Sequence, residues 1–96
     1  MKILFPEKIE EFEHSHADAK DALERWSSII ATAKWRSHLE LKQVFPSADY
    51  VGNSRYVFNI KGNNYRIIVL VVFFAETVAI RFIGTHSEYD KIKDII

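Results

Sequence analysis

The sequence predicts an α+β fold, a twisted antiparallel sheet with N-terminal helices packed on one face and a short C-terminal helix. Three observations predict it. Residues 55–83 alternate apolar and polar side chains on either side of an almost wholly apolar run from Tyr65 to Phe74, with turn residues at Gly62-Asn63 and Ala75-Glu76, which is the pattern of a three-stranded meander. The middle strand is too apolar to face water along most of its length, so something has to cover it. The chain before it carries apolar residues at helical period and supplies that cover.

The elements follow in order. Met1 to Leu4 suits a short edge strand, and Pro6 suits the first turn of a helix because its missing N–H would be unpaired there anyway. This helix runs to about His14. Ser15 and Asp18 have capping-box spacing and open a second helix over 17–34, with Ala19, Leu23, Trp26, Ile30 and Ala33 on one face. Ser37 and Glu40 repeat the spacing for a third helix over 37–44, with Leu39, Leu41 and Val44 inward and Pro46 as its stop. Ala48 to Val51 then enters the sheet. Gly52-Asn53-Ser54 and Gly62-Asn63-Asn64 are hairpin turns, because Gly and Asn tolerate positive φ. After Ile83, Gly84 bends the chain, and Thr85 with Glu88 opens a last helix from His86 to about Asp94.

Ninety-six residues without repeats or linkers make one domain, residues 1–96. The absence of cysteine excludes disulfides and thiolate metal sites and fits a reducing, cytoplasmic home. The start MKILFPEKIEEF is neither a signal peptide nor an anchor, and the apolar run 67–74 falls far short of the roughly 20 residues a spanning helix needs. The formal net charge is zero, but residues 34–66 hold six Lys/Arg against two Asp/Glu, whereas residues 1–33 hold four against seven. The basic middle is where a polyanion would bind.

Strict alternation through both hairpins places Tyr56, Phe58, Ile60, Ile67, Val69, Val78, Ile80 and Phe82 on the face under the helices. The other face then carries Asn59, Lys61, Arg66 and Arg81 on an apolar floor of Val57, Ile68, Leu70 and Ile83, with Thr85 level with Arg66. One reading of these cations is structural, with arginine stems lying on the sheet and pairing with C-terminal carboxylates. The other is an anion site, because His86 and Tyr89 converge on the same end and add proton-transfer groups. His14 and His16 stand at i and i+2 with no third ligand and read as exposed loop residues, so no metal or other cofactor is expected. His38 reads as surface-borne, and Trp26 and Trp35 as packing residues.

The segments DALERWSSIIATAKW, LKQVFPSADYVGNSRYVFNIKGNNYRIIV and IRFIGTHSEYDKI closely resemble the HigB-type toxins of bacterial type II toxin–antitoxin systems, a branch of the RelE-like superfamily. The likeness runs from about Leu4 to Ile92 in order and spacing. It implies the fold predicted above, an endoribonuclease that cuts translated messenger RNA in the ribosomal A site, and inhibition by a HigA-type helix-turn-helix antitoxin. Carried over, the family's site residues fall at Arg66 in NNYR, Arg81 in IRF, His86 in GTH, and Tyr89 and Lys91 in EYDK, with Asn59 and Lys61 as neighbours. On this reading His86 is the leading base or acid, Arg66 and Arg81 hold phosphate, Tyr89 stacks or relays a proton, and Asn59, Lys61 and Lys91 contact RNA. The proposed face lacks a carboxylate cluster for Mg²⁺, which favours cleavage by side chains alone. Two alternatives stay open: an inactive module of this fold that pairs with an antitoxin-like protein or RNA, and a ribonuclease that needs no ribosome.

Overall fold

The computed structural model describes residues 1–92. The elements are β1 (Lys2–Leu4), α1 (Glu7–Ser15), a 3₁₀ turn (Ala17–Ala19), α2 (Lys20–Thr32), α3 (His38–Val44), β2 (Asp49–Gly52), β3 (Arg55–Ile60), β4 (Tyr65–Val72), β5 (Thr77–Thr85) and α4 (His86–Asp90). The five strands lie in the order β1-β5-β4-β3-β2. The meander and β2 are antiparallel as predicted, whereas β1 joins the outer edge of β5 in parallel, Lys2 opposite Thr77 to Leu4 opposite Ala79.

One face of the sheet meets the helices. Ile9 and Phe12 of α1, Leu23, Trp26 and Ile30 of α2, and Leu41 of α3 bury against Tyr56, Phe58, Ile67, Val69, Val78 and Ile80. Trp26 packs edge-on to Phe58 at 5.5 Å and Trp35 edge-on to Phe45 at 5.9 Å, so both tryptophans serve the core. Within α3 only Leu41 turns inward; Leu39 and Val44, expected inside, are 66% and 49% exposed. The helix has just seven residues and buries one of them, Leu41, while His38, exposed at its start, contacts the Tyr56 hydroxyl at 2.7 Å. The predicted helix over 17–34 is shorter than expected at both ends. Ser15 closes α1, the following turn has no side-chain cap, and α2 stops at Thr32, where the Met1 ammonium hydrogen-bonds the carbonyls of Ile30, Ala31 and Ala33.

Asp18, expected as a capping partner of Ser15, reaches across to the β3–β4 turn instead. Its carboxylate accepts a 2.6 Å hydrogen bond from the Tyr65 hydroxyl and pairs with Lys61 Nζ at 3.0 Å. The Tyr65 hydrogen bond, then Lys61, holds the Asp18 carboxyl below its usual range, and the same contact raises the Tyr65 phenol. His16 is half-buried rather than an exposed loop residue, stacked on Phe12 at 4.1 Å and edge-on to Tyr65 at 5.4 Å.

The β3–β4 register is the predicted one, with Asn59 opposite Arg66 and Val57 opposite Ile68. The β4–β5 register is not. Val72 pairs with Thr77, so the loop spans residues 73–76, and a bulge follows between Val69–Ile80 and Ile68–Phe82, leaving Arg81 without a partner opposite. One extra residue moves every later side chain to the other face. Ile83 therefore packs on the helix-side core, Phe82 moves to the second face, and Gly84, not Thr85, stands level with Arg66. Bulges favour sheet edges, and here β1 ends at the partner of Ala79, so β5 has become an edge strand at this point. No helix among the described residues is long and apolar enough to cross a membrane.

Candidate active site

The site is assembled where β4, the end of β5 and α4 meet on the second face. Thr85 caps α4: its hydroxyl accepts from the Glu88 N–H at 3.1 Å, and the Glu88 carboxylate accepts from the Thr85 N–H at 2.8 Å. Both halves of this box were predicted. The His86 N–H donates to the Asn64 carbonyl at 3.2 Å, which ties the start of the helix to the β3–β4 turn. α4 ends at Asp90; the predicted continuation to Asp94 runs into residues 93–96, outside the described residues.

The Thr85 backbone N–H, then its side chain, holds the Glu88 carboxyl below its usual range. Glu88 and Asp18 are both lowered carboxyls, so each contributes stability that is complete above its ordinary value of 4.5 or 3.8 and is lost as pH falls through the lowered one. Acid titration followed by circular dichroism is expected to show stability declining below about pH 4, and a shallower acid limb in Glu88→Gln, which has no carboxyl at this position to protonate. An acid limb in Glu88→Gln identical to that of the wild type would remove the capping carboxylate from the account.

Arg66 is the centre of the cluster. Its strand position turns it away from Tyr65 and Ile67, onto the second face, where its guanidinium lies over the Tyr89 ring at 4.7 Å from the centroid. Its Nη2 is 3.1 Å from His86 Nε2, and His86 Nδ1 is 3.1 Å from Asp90 Oδ2. Arg66 Nε is buried and has no hydrogen-bond partner among the described residues. Gly84, directly across from Arg66, leaves room for the Phe82 ring, which a Cβ at that position would strike.

The other predicted residues are dispersed. Asn59 is half-buried opposite Arg66 on β3. Lys61 has φ 53°, which carries its side chain out of the strand alternation and toward Asp18 on the helix side. Lys91 is exposed just past α4. Arg81 is exposed on the bulge and lines a groove of about 360 Å³ with Lys8, Phe12 and His16 of the α1 region and with Phe82 and Glu88, apart from the Arg66 cluster. Sequence reasoning placed Asp90 near His86 only as a neighbouring charge and left it out of the site residues, although its i, i+4 spacing on a capped helix was a usable signal. Among the described residues, no group of three or more His, Cys, Asp or Glu could hold a metal ion.

With this geometry in place, comparison with known proteins decides the family. Residues 19–92 match the HigB_toxin family, the RelE-like toxic component of a toxin-antitoxin system. The chain belongs to the HigB toxin family. It is 31% identical over 93 residues to the mRNA interferase toxin HigB of Escherichia coli K12, covering 94% of this chain and 88% of that one. The mRNA interferase HigB of Shigella flexneri matches to the same extent, and that of Escherichia coli O6:H1 strain CFT073 is 28% identical over 94 residues, 96% of this chain and 91% of the relative. As a HigB-family toxin the chain is one half of a pair, with an antitoxin as its partner. Its α+β architecture agrees with the RelE-like fold expected of the family.

Proposed function

We propose that this toxin cuts messenger RNA on the translating ribosome, in the bacterial cytoplasm, with Arg66, His86 and Tyr89 as its chemical centre. The observation that carries the reading is that the Arg66 guanidinium touches both other groups, the His86 imidazole at 3.1 Å and the Tyr89 ring at 4.7 Å, at one short capped helix. RNA cleavage by side chains requires removal of the 2′-OH proton, donors for the charge that builds on phosphorus oxygens, and a proton for the departing 5′-oxygen. His86 takes the 2′-OH proton as the 2′-oxygen attacks phosphorus, and Arg66 hydrogen-bonds the pentavalent phosphate. The P–O5′ bond breaks with a proton returned to the 5′-oxygen, for which the Tyr89 hydroxyl is the adjacent donor. Asn59 and Lys91 border this centre as RNA contacts, while Lys61 would have to leave Asp18 to join them.

Arg81, three residues along β5 from the Gly84 opposite Arg66, lies roughly 10 Å away at about 3.3 Å per residue. It serves a neighbouring phosphate, not the scissile one. Arg81→Ala is expected to raise KM roughly 10- to 100-fold, the worth of a charge-assisted hydrogen bond of about 1.5–3 kcal/mol, with little change in the single-turnover rate. A loss confined to the chemical step would move Arg81 into the centre.

The reading as a whole is tested by incubating the toxin with one message, free and bound to ribosomes, and mapping cut sites. Cleavage of the ribosome-bound message alone is the expected result. Equal cutting of naked RNA would make this a ribosome-independent ribonuclease, and no cutting with no growth inhibition would make it a binding module. Co-purification with a helix-turn-helix protein of the HigA type, and loss of cleavage in that complex, is the expected behaviour of its antitoxin.

A further inference from the structure

We infer that Asp90 is a positioning residue for message cleavage: it holds the His86 imidazole in the Nδ1–H tautomer, so that Nε2 is the nitrogen that exchanges a proton with RNA. The inference rests on the role of His86 given above. A guanidinium has five N–H donors and no acceptor, so the 3.1 Å approach of Arg66 Nη2 to His86 Nε2 is a hydrogen bond only if Nε2 presents its lone pair. An ionised carboxylate accepts and cannot donate, so the 3.1 Å contact of Asp90 Oδ2 requires a proton on Nδ1. Both neighbours therefore select one state, a neutral ring protonated on Nδ1. An imidazolium would set an Nε2–H against the guanidinium donors.

The two selectors act at different moments. In the free protein Arg66 covers the reactive lone pair. When a phosphate oxygen draws the guanidinium away, Nε2 is uncovered beside the RNA, and Arg66 no longer enforces the tautomer. From then on only Asp90 does, held one turn along α4 from His86 by the i, i+4 spacing and the Thr85–Glu88 cap. The groups in contact with the ring are Arg66 from β4 and Asp90 from its own helix, while Tyr89 lies against the Arg66 guanidinium. This arrangement leaves no second carboxylate among the described residues' contacts to His86 that would replace Asp90.

The test combines ¹⁵N spectra of the His86 ring in the full chain with single-turnover cleavage of ribosome-bound message. The wild type is expected to show Nδ1 protonated and Nε2 unprotonated at neutral pH. Asp90→Ala should shift the ring toward a tautomer mixture and lower the single-turnover rate roughly tenfold with KM unchanged, a part of the about 10²–10⁴-fold that positioned proton transfer supplies. Asp90→Asn, whose amide can accept from Nδ1–H or, flipped, donate to a bare Nδ1, no longer selects one tautomer and should likewise lose the Nδ1–H preference and rate; it stands in if the alanine variant folds poorly, and a wild-type spectrum and rate in it overturn the inference equally. A wild-type ring spectrum or a wild-type rate in Asp90→Ala overturns the inference. His86→Gln separates the two levels: if it is slow while Asp90→Ala is not, only the role of Asp90 fails, and if it too cuts at the wild-type rate, the role given to His86 fails.

Discussion

Arg66→Ala is expected to lower the single-turnover rate of cleavage by about 10²–10³-fold, the cost of removing one donor that stabilises transition-state charge. Growth inhibition on induction should disappear with it. The fold should survive, because Arg66 is half-buried at the surface of the second face and its contacts run to His86 and Tyr89, not into the helix-side core. Arg66→Lys should recover little, since an ammonium cannot lie flat on the Tyr89 ring while also directing a second donor at a phosphate. Single-turnover cleavage on ribosome-bound message is the deciding measurement. A wild-type rate in Arg66→Ala would place the chemistry elsewhere, with the Arg81 groove as the next place to look.

The largest expected effect on stability is that of Phe58→Ala. Phe58 is 2% exposed, edge-on to Trp26 at 5.5 Å and to Phe45 at 4.9 Å, and so joins β3 to α2 and to the loop after α3. Emptying that volume should cost about 3–5 kcal/mol, a large part of the about 5–15 kcal/mol that holds a domain of this kind together. Urea denaturation should show a lower midpoint at unchanged slope. Phe82→Ala, which strict alternation would put in the same class, should cost less, because Phe82 is half-buried on the second face. A larger loss for Phe82→Ala than for Phe58→Ala would contradict the bulge at Arg81.

What the chain determines by itself is what depends on near neighbours. The β3–β4 register could be read because the Gly62 turn separates two alternating stretches, so that polar Asn59 and Arg66 fall on one face and apolar Phe58 and Ile67 on the other. The Thr85–Glu88 box was equally legible, since both partners lie within one turn. The same spacing at Ser15 and Asp18 misled, because Asp18 is taken by Tyr65 and Lys61, 47 and 43 residues away, and no local pattern carries that competition. The bulge at Arg81 was invisible for a different reason: Phe82 and Ile83 are both apolar, so either parity buries one of them. Only the end of β1 at Ala79, which leaves the rest of β5 as an edge, admits the extra residue and sets Arg81 in the groove beside α1. The resemblance in NNYR and GTHSEYDK pointed to Arg66, His86 and Tyr89 as residue types. Their contact, and the part it assigns to Asp90, exists because sheet pairing sets β4 beside the end of β5 and so brings Arg66 to a helix 20 residues further along the chain.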